Sequence, residues 1–349
     1  MEGNVDTLPV GKLPAELLDR MLKRVRQADE RLVLGPGVGL DCAVIEFGDR
    51  LLVAKSDPIT FATNDIGWYA VHINANDIAT TGARPLWFLA TLLLPEQQTD
   101  EALATGIIEQ IEQACGVVGA TLVGGHTEIT AGLRRRIVVG TMLGEVMRDR
   151  LITPRGAKPG DHVLLTKGIP IEATSLLARE IPERLKAVPK NIMERARAFL
   201  KDPGISVLPE AAAAVAVGGV TAMHDPTEGG LAGGLWELAL ASGAGIEVEK
   251  EAIYVLPEAL TICRALDVDP YAAIASGALL IVVKAERVED VMRAIQARDV
   301  DVSDIGVVTR GAGVAIRERG SLQPMPRPDR DAVATVFEED DSGEGIQAT

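Results

Sequence analysis

Apolar residues recur along this chain with two spacings, and the switches between them outline its elements. Leu17, Leu18, Met21, Leu22 and Val25 fall on one helical face. "CAVIEF" and "LLVAKS" flank "GDR" and read as a hairpin. From Asn64 or Asp65, either a suitable N-cap, an apolar helix runs to Gly82, a natural stop. "PLWFLATLLL" predicts a buried strand. Residues 101–117 predict a helix with Leu103, Ile107, Ile108, Ile111 and Ala114 inward, and "ATLVGG" and "RRRIVVGTMLGEV" predict further strands. The order β-β-α-β-α-β-β is an α+β layer.

"TPRGAKPGD" (153–161) places Pro, Gly and charge between two apolar strands and marks a boundary. Beyond it, "HVLLTKG", "VTAMHD", "AGIEVEK", "ALLIVV", "VSDIGVVTR" and "GVAIRE" predict strands. Helices are expected over 171–178, 193–200, 210–217, 230–242, 257–266, 271–275 and 288–297. The expected organisation is a helical leader (1–30), a first domain (31–152), a second α/β domain with helices on a mixed sheet (160–320), and a Pro-rich then acidic tail (321–349) that is largely disordered or draped on the surface.

Charge narrows the function. Lys and Arg number 35 against 50 Asp and Glu, a net charge of −15. That argues against unspecific nucleic-acid binding, which needs a basic footprint, although a divalent cation could still bridge the protein to phosphates. Aromatics are only 3%, which suits a layered aliphatic interior. Cys42, Cys115 and Cys263 form no CxxC pair, so neither a disulfide framework nor a zinc site is expected, and a cytoplasmic setting fits. No apolar run reaches the ~18 residues of a membrane span.

Three stretches carry candidate chemistry. In the first, Gly35, Gly37 and Gly39 let backbone amides converge on an anion, or simply make a turn. Asp41 follows this loop, and Asp57 ends a strand before Pro58. Asp77 shares a helix face with Asn74 and Thr81. That face is either solvated or, given Ala70, Val71, Ile73, Ile78 and Ala79 around it, mostly buried. A buried carboxylate needs a partner, and an oxygen-rich cluster suits Mg²⁺. The second stretch, "TLVGGHTEI", presents His126, Thr127 and Glu128 after two glycines that allow close approach of a ligand or another backbone. His126 there is a base, a donor or a structural residue. In the third, Thr227, Gly229 and Gly230 open a helix whose N-terminus is a ready anion site. Thr227 is expected to cap that helix, leaving Asp225 free for a cation. Neither a Walker A nor a Rossmann fingerprint is present.

In order, the glycine loop, "LDCAVI", "KSDPIT", "DIGWYAVHINANDIATTGARP", "GGHTEI" and "HDPTEGGLAGGLWELA" resemble the aminoimidazole ribonucleotide (AIR) synthetase superfamily over about residues 10–320. "ASGAGIEVEKEAI" and "LDVDPYAAIASGALLIVV" look most like its HypE-type and AIR synthase-related branch. The resemblance implies ATP-dependent activation of an amide- or carbonyl-type oxygen by phosphoryl transfer, with ATP and Mg²⁺ as cofactors. It also implies a homodimer through the first domain, whose mixed sheet would form a barrel in the dimer. By resemblance Asp41, Asp57, Asp77 and Asp225 are the metal ligands, and Asp57, His126 and Glu128 are the catalytic candidates. Gly35, Gly37, Gly39, Lys55, Asn74, Thr127, Thr227, Gly229 and Gly230 would bind nucleotide. Lys55, Lys167 and Arg84 are candidate positive partners for the phosphates. The chain departs from the family pattern at Leu40, where a second aspartate is usual. It also lacks the terminal cysteine of HypE-type proteins and the N-terminal nucleophile of selenophosphate synthetase. Two other readings follow: a small-molecule kinase like thiamine monophosphate kinase, and a non-catalytic nucleotide-binding partner in hydrogenase-type maturation.

Overall fold

The structure, a computed structural model, describes residues 8, 10–26 and 29–343. After α1 (Ala15–Leu22) come β1 (Leu32–Leu34), β2 (Ala43–Phe47), β3 (Arg50–Ile59), α2 (Ile66–Thr80), β4 (Arg84–Pro95), α3 (Glu101–Val118), β5 (Thr121–Thr130) and β6 (Ile137–Val146). The expected hairpin is β2–β3, paired antiparallel. Asp100 caps α3 by accepting from the Leu103 amide at 2.8 Å. Asp65 stands at the N-cap position of α2, but its carboxylate meets Arg179 at 2.7 Å instead of capping.

The second half holds β7 (His162–Thr166), α4 (Ile171–Glu180), α5 (Lys190–Ala198), α6 (Leu208–Val217), β8 (Val220–His224), α7 (Gly230–Ser242), β9 (Gly245–Glu249), α8 (Pro257–Ala265), β10 (Leu280–Val283), α9 (Val288–Gln296), β11 (Val302–Thr309), β12 (Gly313–Glu318), β13 (Ser321–Pro324) and α10 (Ala332–Gly343). The helix expected at 271–275 is a turn. Its apolar residues instead line up beside α7, where Tyr271 O accepts from Ala232 N at 2.9 Å.

Both sheets are mixed. The first has the order β1-β2-β3-β6-β4-β5, with β4 and β5 parallel. The second runs β13-β12-β9-β11-β7-β10-β8, with β12 and β9 parallel. The barrel implied for the first sheet is not formed: the sheet is open, with β1 and β5 at its edges. The edge strands are also mismatched, since β1 has three residues and β5 has ten. A barrel needs its edges to pair along their length.

The tail also differs from expectation over its described part. β13 pairs with β12. Val333, Ala334 and Val336 of α10 are buried, and Phe337 stacks on Phe61 with ring centroids 5.6 Å apart. These apolar positions sit at helical spacing inside an otherwise polar, Pro-rich stretch, which hides the signal. Residues 344–349 of the acidic end lie outside the described residues.

The element that positions the site is α2, all of whose 15 residues are buried. It packs on β3, β4 and β6 and also reaches α6 and β8. Asn76 locks it to the second half: its amide donates to Ile205 O at 2.8 Å and accepts from Val207 N at 3.0 Å. Each fully buried Ile in α2 contributes about 1.5–3 kcal/mol, which offsets the cost of holding Asp77 inside the same helix.

Candidate active site

Strand alternation puts Lys55 and Asp57 on one face of β3, under the side of α2 that carries Asp77. Lys55 Nζ lies 3.1 Å from Asp57 Oδ2, 3.2 Å from Asp77 Oδ2 and 3.8 Å from Asp41 Oδ1. Burial pushes the Asp77 carboxyl well above the usual carboxylate range; Lys55 pulls it back, while Asp225, Asp41 and Asp57 push it further up. Burial works against the Lys55 charge too, but Asp77, Asp41 and Asp57 outweigh it and hold the ammonium charged.

β8 delivers the second group. His224 is 2% exposed and bridges two carboxylates, with Nδ1 3.1 Å from Asp41 Oδ2 and Nε2 2.8 Å from Glu237 Oε2. Burial disfavours its charge, yet Asp41 and Glu237 raise its pKa well above the ordinary histidine value and so favour the imidazolium. For Asp41 burial is again opposed, here by His224, Lys55 and Lys12, which hold it well below the usual carboxylate range.

Asp225 follows directly. It is 1% exposed, and neither of its carboxylate oxygens has a hydrogen-bond partner among the described residues. Burial lifts its pKa to about 7, against the pull of His224 and Lys55. The N-terminal arm closes the group: Lys12 Nζ donates to Thr227 Oγ1 at 3.1 Å and lies 3.5 Å from Glu237 Oε1, and Lys12 N donates to Glu228 Oε2 at 3.0 Å.

Five carboxylates (Asp41, Asp57, Asp77, Asp225, Glu237) thus face three cations (Lys12, Lys55, His224). Buried native carboxylates are almost always paired. Two orphaned oxygens on Asp225 beside this excess of negative charge fit a divalent cation with oxygen ligands. Among the described residues no three His, Cys, Asp or Glu side chains already stand in metal-holding geometry. Lys55 lies in their midst instead.

The structure therefore gathers Asp41, Lys55, Asp57, Asp77 and Asp225. The glycine loop lies beside them: a Cβ on Gly39, whose φ is +71°, would come within 2.8 Å of Glu237 O, so only glycine lets the loop press on α7. Gly37 lines an adjoining cavity of about 470 Å³ with Arg155. Asn74 is committed to backbone, accepting from Asp57 N at 3.0 Å and donating to Ala70 O at 2.8 Å.

At the start of α7 the two glycine amides already have protein partners. Gly229 N donates to Asp331 Oδ2 at 2.7 Å, and Gly230 N to Thr227 O at 2.9 Å. The N-cap is Gly229, with no side-chain cap, so Thr227 does not cap the helix; it serves Lys12.

His126, Thr127 and Glu128 are not brought to the aspartates within this chain. They are exposed on edge strand β5, with β4 and β6 between it and β3, and His126 Nε2 pairs with Glu128 Oε2 at 3.2 Å. The glycines before them answer to backbone: a Cβ on Gly125 would fall 1.9 Å from Ala90 O of β4. Lys167 pairs with Glu210 at 2.8 Å away from the cluster, and Arg84 is exposed on β4. Lys12, His224 and Glu237 were not singled out from sequence. His224 stands next to Asp225 on a strand end, the only hint available; Lys12 and Glu237 carry none.

Two sequence profiles match the chain, "AIR synthase related protein, N-terminal domain" over residues 39–146 and "AIR synthase related protein, C-terminal domain" over residues 158–318. A Methanocaldococcus jannaschii protein named for hydrogenase expression and formation is 30% identical over 293 residues, 80% of this chain and 82% of the relative. Thiamine-monophosphate kinase of Pyrococcus horikoshii is 28% identical over 305 residues, 83% and 88% of the two chains. The crystal structure of hydrogenase maturation protein HypE in complex with ATP shares the fold, with a TM-score of 0.68 at 23% identity over 91% of this chain and 94% of that one.

Proposed function

This chain belongs to the AIR synthase-related family, and from that premise we propose that it is an ATP-dependent, Mg²⁺-requiring enzyme that activates an amide- or carbonyl-type oxygen of a small molecule by phosphoryl transfer. The observation that carries the reading is the convergence of Asp41, Asp57 and Asp77 on Lys55, with the unpartnered Asp225 beside them. The ATP held in a structure of the same fold supports it.

Asp41, Asp57, Asp77 and Asp225 would hold magnesium. When bound, it would neutralise charge developing on the transferred phosphoryl group. Lys55 and His224 add positive charge at the same place; Lys55, which stands among the aspartates, would give way as the metal binds. The amides of the Gly35–Gly39 loop would cover the phosphates. The division into a first unit (31–152) and a second (160–320) belongs to the same reading, with the cluster built from both.

Asp57→Asn is expected to lower magnesium-dependent ATP turnover by at least about a hundredfold, the scale of losing one electrostatic stabiliser, with an unchanged circular dichroism spectrum. Turnover within a few-fold of the parent would sink the assignment. Similarity to thiamine-monophosphate kinase over 83% of the chain favours a second reading, a small-molecule kinase. Accumulation of a phosphorylated product, rather than release of phosphate, selects it.

A homodimer through the first sheet is part of the proposal. β5 is an edge strand that leaves Val123 52% and Ile129 56% exposed, and such an edge invites pairing. Light scattering should give twice the chain mass for the parent and the single mass for Val123→Lys; a parent of single mass removes the dimer from the reading.

A further inference from the structure

Lys55 reaches carboxylates from three separate places in the chain: Asp41 after the glycine loop, Asp57 within β3 and Asp77 within α2. An ammonium has three donors and no acceptor, so it can serve three oxygens at once. Among the described residues it is the only ion-pair partner of Asp57 and of Asp77. Asp77 Oδ2 has no hydrogen-bond partner there either. The neighbouring cations are already committed, His224 to Asp41 and Glu237, Lys12 to Thr227 and Glu237.

A divalent ion and this ammonium cannot share the same oxygens. Like charges a few ångströms apart repel strongly where water is scarce, and the Lys55 side chain is only 10% exposed. Entry of a metal therefore breaks the ion pairs of Lys55 and turns its ammonium out. No spare carboxylate waits for it: Glu237 is held by His224 and Lys12, and Asp225 is counted among the metal's own ligands. A bare ion thus leaves the lysine with nothing but water, whereas a triphosphate arriving with the metal gives it new oxygens. The way out lies past Asp57, whose side chain is 33% exposed and lines a cavity of about 430 Å³ with Gly11 and Lys12. The flexible four-carbon stem of lysine lets the charge swing while the backbone stays in β3.

We propose that Lys55 is an interlock: its ammonium keeps bare metal off Asp57 and Asp77, and turns to the phosphates when metal and nucleotide arrive together. The two ligands are thereby coupled through one side chain. The turn to the phosphates rests on the phosphoryl-transfer reading; the exclusion of bare metal does not.

The test titrates the full chain with Mn²⁺, following the free ion by electron paramagnetic resonance, and separately with preformed Mn²⁺–imido-ATP by calorimetry. Lys55→Met is expected to bind bare Mn²⁺ at least about tenfold more tightly than the parent, the scale of one contact to a charged group. Its affinity for the preformed complex is expected to stay within about threefold of the parent's, because the lost contact with phosphate offsets the freed carboxylates. Lys55→Arg keeps the charge and is expected to bind bare Mn²⁺ no more tightly than the parent. Unchanged or weaker binding of bare Mn²⁺ by Lys55→Met overturns the proposal, and so does a complex that tightens as much as the bare ion. Should that variant fail to fold by its melting curve, Lys55→Gln is read in the same way. A parent that binds bare Mn²⁺ as tightly as it does with imido-ATP overturns the proposal whatever the variants do. A parent that binds no nucleotide complex removes the phosphoryl-transfer reading, while the comparison with bare Mn²⁺ still decides the exclusion.

Discussion

Replacing Asp225 by Asn is expected to make the protein more stable in the absence of metal and to remove its stabilisation by magnesium and ATP. Asp225 is buried with both oxygens unpartnered, and its pKa is lifted to about 7 from 3.8. A carboxyl whose folded pKa lies above its unfolded value favours folding only while protonated. Its contribution is complete below about pH 4 and lost as pH rises through 7. The parent should therefore weaken relative to Asp225→Asn across that window, by on the order of 4 kcal/mol at pH 8, and match it near pH 4. Urea melts at pH 4, 6 and 8 measure this gap. The parent should gain stability from magnesium with ATP, as any ligand of the folded state confers, and the variant should not. A variant that is less stable than the parent at pH 8, or still responds to the metal, would contradict the role given to this residue.

Lys55→Met should have the opposite sign. Lys55 touches Asp41, Asp57 and Asp77, and its side chain is 10% exposed. Removing it leaves the buried Asp77 beside the partly exposed Asp41 and Asp57 with no cation between them, at a cost of about 3 kcal/mol, the low end for a broken buried pair. Magnesium should restore part of that loss, because a divalent ion can take the place of the ammonium among the same oxygens. Melting temperatures of parent and variant, with EDTA and with magnesium, give the test. A loss that magnesium does not touch would mean that these carboxylates hold Lys55 for structure alone.

Both effects come from residues whose candidacy was visible in one dimension and whose energetics were not. Asp77 in an apolar helix and Asp57 before a proline are anomalies that a reader of the chain can find, because period and polarity disagree there. That Asp225 would be unpartnered is another matter. The cap expected from Thr227 is not made, the N-cap is Gly229, and the amides of Gly229 and Gly230 are already taken. His126 and Glu128 show the converse. Their run "GGHTEI" looks as chemical as any other, yet Gly125 is required by the backbone of β4, and the run lies on an edge strand separated from β3 by two strands. Expectation and structure also part at α10, whose buried valines sit within a polar stretch.

The chain by itself determined its periodic elements, the hairpin of β2 and β3, the apolar character of α2 and the acidic anomalies, because those depend on residues a few positions apart. Which strands would be neighbours, where sheet edges would be left, and which lysine would face which carboxylate were decided only by the tertiary structure. Lys12 meets Thr227 across 215 residues of sequence; no spacing rule spans that distance, since side chains so far apart are brought together only by the packing of everything between them. The surplus of negative charge at the site is likewise a sum over several separate elements, and it exists only once they are folded together.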